Sequence, residues 1–188
     1  MTGCKRVALV IALSTVVCAQ TAEPDAVVDL NGKAQDPFAS HAAATVLVFV
    51  RTDCPVTNRY APELQRIADK FKTRSVAFWL VYPDRDEAPR HIRDHMREYQ
   101  MPGQALQDPR HALVKRAHAT VAPEAAVFNG SGKLIYHGRI DDRYVDIGKT
   151  RPEATVHDLE DAISAVLSGK AVPHPETRAI GCSLADVE

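Results

Sequence analysis

Four cysteines in 188 residues are too few for a disulfide scaffold. Charge of one sign is missing as well. The 23 Lys and Arg nearly balance the 24 Asp and Glu, for a formal net charge of −1. That excludes the basic footprint of a nucleic-acid binder, and no nucleic-acid partner is expected. Internal repeats, low-complexity tracts and a clear linker are absent, which excludes solenoids and beads-on-a-string designs. What remains is ordinary globular composition, 45% hydrophobic and 25% charged. A chain of this length suits one compact domain plus an extra segment, with a core that needs neither metal nor many disulfides.

The extra segment sits at the front. Lys5 and Arg6 precede an uncharged apolar run, Val7–Val17. Val17 and Ala19 stand three and one residues ahead of a cut before Gln20. This is the three-part pattern of a secretory signal peptide over residues 1–19. The run is about 11 residues, whereas a membrane span needs roughly 20. A buried or spanning helix is the other reading. Lipidation at Cys18 is a third, although Val17 stands where that signal wants a small residue, and attachment to a membrane is expected only in that case. Cleavage removes Cys4 and Cys18 and leaves Cys54 and Cys182. The expected location, periplasmic or secreted, is oxidising, and there a leftover pair can form a disulfide.

Thr45–Val50 (TVLVFV) is a short β-branched run that reads as a buried strand of a parallel sheet. Cys54-Pro55 follows at once, and proline favours the first turn of a helix. From Tyr60 onward Leu64, Ile67, Ala68 and Phe71 fall at helical spacing. Ser75–Tyr82 is a second strand. Pro89–Tyr99 reads as a polar helix, and Pro109–Ala119 as a shorter one with Asp108 as N-cap. Glu124–Phe128 and Leu134–Ile140 are strands joined by Asn129-Gly130-Ser131-Gly132, a strong hairpin signal. Thr155–Leu167 is a final amphipathic helix stopped by Gly169. The order β-α-β-α-α-β-β-α implies an α/β sandwich with a mixed central sheet flanked by helices. The domain is expected over residues 20–170, with a non-periodic tail, 171–188, carrying Cys182.

Cys54 is the sharpest chemical signal. It lies at the junction of a strand and a helix N-terminus, where free N–H groups and partial positive charge favour a thiolate. Arg51 and Arg59 add positive charge and Asp53 opposes it. The bland alternative is a buried, inert cysteine. Ala122-Pro123 precedes a strand, either as a cis bond marking a site or as a trans proline opening an edge strand.

The stretches VLVFVRTDCPVTNRYAPEL and VAPEAAVFNGSGKLIYHGRIDDRY, with the tail RAIGCSL, resemble the redoxin family. That family spans the peroxiredoxin-related alkyl hydroperoxide reductase and thiol-specific antioxidant proteins and the exported TlpA-type oxidoreductases. The resemblance covers roughly residues 25–170. It implies a thioredoxin-like fold, thiol redox chemistry, no bound cofactor, and partners that are protein thiols or disulfides, small thiols or peroxides. It implies Cys54 as nucleophile and Pro123 as a cis-proline facing it, with Pro55, Thr57 and Arg59 shaping the site.

Two departures follow. In Cys54-Pro55-Val56-Thr57, Thr57 replaces the second cysteine of a Cys-x-x-Cys pair, so a local disulfide is impossible. The peroxiredoxin pattern Pro-x-x-x-Thr-x-x-Cys is also broken, with Leu47 and Arg51 at its proline and threonine positions and Thr52 displaced by one. Cys182 is therefore the candidate resolving thiol. Extended, the tail from Leu167 to Cys182 spans about 50 Å, against a radius of gyration of about 15–16 Å for such a domain. A Cys54–Cys182 bond is expected as either a cycling or a structural link. The leading function is an exported thiol–disulfide oxidoreductase. The alternatives are a thiol peroxidase using the same cysteines, and a non-catalytic module binding copper or a partner protein. No metal site is expected: His91 and His95 read as a solvated helix face, and His118 and His137 lack the second thiol of a copper site. Asp141, Asp142 and Arg143 read as a solvated turn, with a contact near Cys54 as the alternative. Glu63 reads as a first-turn helix charge.

Overall fold

A computed structural model describes residues 27–185. The expected signal peptide and the Cys18 option lie outside the described residues. No described helix is long and apolar enough to cross a membrane.

The elements follow in chain order. β1 (Val28–Asp29) and β2 (Ala44–Phe49) lead to α1 (Pro55–Phe71) and β3 (Val76–Tyr82). Next come α2 (Pro89–Glu98), β4 (Gln104–Gln107), α3 (Ala112–Ala117), β5 (Val121–Ala122), β6 (Glu124–Asn129) and β7 (Leu134–Gly138). A small hairpin, β8 (Tyr144–Asp146) and β9 (Lys149–Thr150), precedes α4 (Asp158–Leu167) and the tail strand β10 (Cys182–Ser183). The central sheet has the order β1-β4-β3-β2-β6-β7. β2 pairs parallel with β3 and antiparallel with β6, so the sheet is mixed as expected.

β2 sits in the middle and every residue of it is buried. Its alternation splits the core. Val46 and Val48 pack with Leu64 and Ile67 of α1 and with Leu159 and Ile163 of α4. Leu47 and Phe49 face the other way, towards Leu113 and Val114 of α3 and Leu184 of the tail. Each face is thereby closed by helices, which is why the strand reads as continuously apolar.

Three expectations need correction. β4 was not anticipated, because Gln104–Gln107 lacks a β-branched run. The helix expected from Pro109 starts at Ala112, while Asp108 still caps it by accepting from the amides of Ala112, Leu113 and Val114. The helix expected from Thr155 starts at Asp158. Its missing turn is diverted by Asp142, whose carboxylate accepts from the Thr155 amide at 2.6 Å, the Thr155 hydroxyl at 2.6 Å and the Val156 amide at 3.0 Å.

Asp141-Asp142-Arg143 is therefore no solvated turn. Asp141 is 1% exposed and Asp142 6%. Asp141 accepts the Tyr60 hydroxyl at 2.6 Å and so ties the loop after β7 to α1. Burial works against the ionised Asp142. The Thr155 hydroxyl, the two amides and nearby Arg151 nevertheless hold its carboxyl far below the usual range. Such a group stabilises the fold above its unfolded value of about 4, and that contribution is lost as pH falls through the depressed folded value. Asp142→Asn should lower stability at pH 7 by about 1–3 kcal/mol, and the gap to wild type should narrow below pH of about 4. Urea unfolding at both pH values checks this; an equal gap at both would contradict it.

Candidate active site

Cys54 is the N-cap of α1, reached by the short loop that leaves β2. Pro55 occupies the first helical position, where its missing N–H costs nothing. No side chain caps the helix, so the amides of its first turn face Cys54 without a side-chain acceptor. Thr57, at the third helical position, is fully buried, and its hydroxyl has no hydrogen-bond partner. A third-position side chain reaches back towards the N-cap residue, here Cys54, and no hydrogen bond joins the two while the disulfide is closed.

Cys54 and Cys182 form a disulfide, with Cα atoms 6.1 Å apart. The tail is seated by several contacts around that bond. β10 pairs antiparallel with β5, Cys182 opposite Ala122 and Ser183 opposite Val121. The Ala122–Pro123 peptide bond is cis, and the Ala122 carbonyl oxygen lies 3.1 Å from Cys54 Sγ. With the bond closed this is a contact; once opened, a Cys54 thiol can donate there. A side chain on Gly181 would overlap the Ala122 carbonyl, so glycine before Cys182 is what allows the close approach. Leu184 plugs the α3-side core at 2% exposure, and its amide donates to the Thr120 carbonyl at 3.0 Å.

Further back, Thr177 is locked to β7. Its hydroxyl meets the Tyr136 hydroxyl at 2.7 Å and accepts the Arg139 amide at 3.1 Å. Gly138, at φ +141°, leaves the room for that contact.

Arg51 grips Asp53 through two nitrogens, at 3.0 and 2.9 Å, and donates its third to the Ser183 carbonyl at 2.8 Å. Hydrogen bonding from Arg51 holds the Asp53 carboxyl below its usual range. Arg51 is thus a clamp on the tail. Arg59 is exposed, and no hydrogen bond joins it to Cys54 among the described residues.

The histidines divide. His91 is exposed, as a solvated face requires. His95 is not: it is 5% exposed, with the Tyr82 hydroxyl 3.0 Å from Nδ1 and Asn58 Oδ1 2.8 Å from Nε2. Asn58 Oδ1 accepts from Nε2, leaving Nδ1 to accept from Tyr82, and burial lowers the imidazole's pKa. His95 therefore pins α2 to α1 and β3. His118 and His137 do meet, with ring centroids 5.8 Å apart, beside the docked tail. Glu63 lies in the third turn of α1, where Arg66 holds it at 2.7 and 2.9 Å. Glu63, Asp141 and His157 bring one donor atom each within 4.8 Å, the nearest approach to a cation site among the described residues. Arg66 already neutralises Glu63 there.

A family model, AhpC/TSA family, matches residues 25–137. The chain belongs to that family. Its fold is thioredoxin-like. Among solved structures it resembles a hypothetical protein of Sinorhizobium meliloti at 22% identity, covering 85% of this chain and 91% of that one, with a TM-score of 0.71. It resembles a conserved protein of Geobacillus kaustophilus at 24% identity, with coverages of 88% and 89% and the same TM-score. It also resembles a secreted disulfide oxidoreductase of Mycobacterium tuberculosis, homologous to E. coli DsbE, at 16% identity, with coverages of 78% and 96% and a TM-score of 0.51. No curated protein matches it.

In this member of the AhpC/TSA family the tail is held by anchors that the sequence did not reveal. Arg51, Leu184 and Thr177 act only through contacts between distant segments. The Gly-Cys dipeptide was visible, and glycine beside a reactive cysteine is the signal for close backbone approach. Gly181→Val should unseat the tail, since overpacking of this kind costs about 1–3 kcal/mol. Air-oxidised variant should then carry alkylatable Cys54 and Cys182, read by mass; full protection of both would refute the account. Thr57→Val, in the reduced protein, should slow alkylation of Cys54 at neutral pH by about tenfold. An unchanged rate would mean that the hydroxyl does not serve the thiolate.

Proposed function

We propose that this protein is an exported thiol–disulfide oxidoreductase that cycles between Cys54–Cys182 disulfide and dithiol. One observation carries the reading: the disulfide joins a cysteine at a helix N-terminus with no side-chain cap to a cysteine on the C-terminal tail. A helix N-terminus favours a thiolate, which suits a nucleophile at Cys54.

In the reductive direction the tail lifts, and the Cys54 thiolate attacks a partner disulfide. A mixed disulfide forms and one partner thiolate leaves. Cys182 then attacks Cys54, releasing the second partner thiolate and restoring the internal bond. The two electrons pass from the Cys54–Cys182 dithiol to the partner. Pro123 is buried, and its cis bond to Ala122 sets the backbone against which the partner would sit. Export rests on the leader pattern of residues 1–19, and a secreted neighbour of similar fold supports it.

Peroxidase chemistry has less support. In the loop before Cys54 the Thr52 hydroxyl donates to Glu87, and the Arg51 guanidinium donates to Asp53 and to the Ser183 carbonyl.

The test uses the mature protein. Alkylation without prior reduction should label neither cysteine, and reduction should add about 2 Da before labelling. The reduced protein should reduce a protein disulfide, and Cys54→Ser should abolish this. Cys182→Ser should accumulate the mixed disulfide on Cys54. If both cysteines label freely in oxidised protein, the cycle is wrong and a one-thiol binding module takes its place.

A further inference from the structure

The two sulfurs of the disulfide are not equally reachable. Cys54 is 0% exposed, while Cys182 is part-exposed. Thiol–disulfide exchange goes to the sulfur an incoming thiolate can reach, and the other leaves as thiolate. Cys54 suits the leaving role. The helix N-terminus, which has no side-chain cap, favours its charge, and once it is protonated the thiol can donate a hydrogen bond to the Ala122 carbonyl.

Beside Cys182 lies a cavity of about 710 Å³. Ile180 and Gly181 of the tail form one wall, Gly181 being the residue before Cys182, and Val121 of β5 forms another. The charged lining has both signs. Arg178 and His118, both exposed, line it together with His137. Glu176 and Glu124 are its carboxylates; Glu124 Oε2 accepts from the Thr120 and Val121 amides and the Thr120 hydroxyl. Glu176 Oε2 lies 3.8 Å from His137 Nε2. His137 Nδ1 is buried with no hydrogen bond, 3.5 Å from Glu124 Oε1. A neutral thiol gains nothing from such a lining. A thiol built on an amino acid offers a carboxylate to Arg178 and His118 and an ammonium to Glu176.

We propose that this cavity binds a low-molecular-weight zwitterionic thiol, which opens the disulfide by attacking Cys182 rather than Cys54. The proposal rests on the redox cycle above and names its electron donor class. The donor thiolate forms a bond to Cys182 Sγ, the Cys54–Cys182 bond breaks, and Cys54 leaves as thiolate with the electron pair. A second molecule of the same thiol then attacks the donor sulfur of the adduct, freeing the Cys182 thiolate and yielding the oxidised donor dimer. Two donor thiols are oxidised and one protein disulfide is reduced.

The experiment follows opening of the oxidised mature protein by glutathione and by 2-mercaptoethanol, at matched thiolate concentration, with an acid quench. Each rate is divided by that thiol's rate with a small linear disulfide. Glutathione should then exceed 2-mercaptoethanol by about tenfold, and peptide mapping should place the first adduct on Cys182. Arg178→Ala with His118→Ala should erase the glutathione advantage and leave the 2-mercaptoethanol rate unchanged. An adduct on Cys54, or equal normalised rates, overturns the proposal. Dithiothreitol separates the two readings. If it opens the bond but the dithiol protein reduces no partner, the proposed function fails, while this site stands or falls on the thiol ratio alone.

Discussion

Burial of β2 on both faces is the constraint from which the site follows. Val46 and Val48 on one side, and Leu47 and Phe49 on the other, fix the strand at the centre of the sheet. Parallel pairing with β3 then requires a crossover, and α1 supplies it. The strand-to-helix loop must emerge at the carboxyl edge of the sheet, the usual place for a ligand or reacting group. Cys54 sits at that loop's end, fully buried, with the first helical turn directed at it. Its neighbours follow from the same arrangement, because β6 pairs with the other edge of β2 and brings Ala122-Pro123 alongside.

The balance at the cysteine pair is one of access against stabilisation. Full burial denies Cys54 to solvent, yet its surroundings are built for charge: a helix start with no side-chain cap and a hydroxyl with no partner. Cys182 has the opposite properties, reachable but without a helix behind it. The tail that carries it is held by short-range complementarity, glycine against carbonyl, leucine in a pocket and an arginine bridging two backbones. Such contacts give a defined closed position, to which a strand pair of two residues adds little stability of its own.

Local pattern made the larger elements readable. The TVLVFV run, the Cys-Pro junction, the helical spacing of Leu64, Ile67 and Phe71, and the Asn-Gly-Ser-Gly turn all lie within a few residues of what they determine. Thr57 in place of a second cysteine was equally plain. The tertiary work of polar groups was not readable. Asp141 reaches Tyr60 across 81 positions and Arg51 reaches Ser183 across 132. A charged triplet such as Asp141-Asp142-Arg143 carries no local mark of burial, since its partners are set by the fold. His95 escaped for the same reason: on a polar helix it looks solvated until Tyr82 and Asn58 close over it.

The sequence separation of the two cysteines, 128 positions, makes the closed bond a covalent ring around almost the whole described domain. Every described helix, and every described strand from β3 through β9, lies inside that ring. A single proteolytic cut anywhere between the cysteines leaves one connected molecule while the bond is closed, and two fragments once it opens. Redox state thereby decides whether a nicked chain is retained in place or shed.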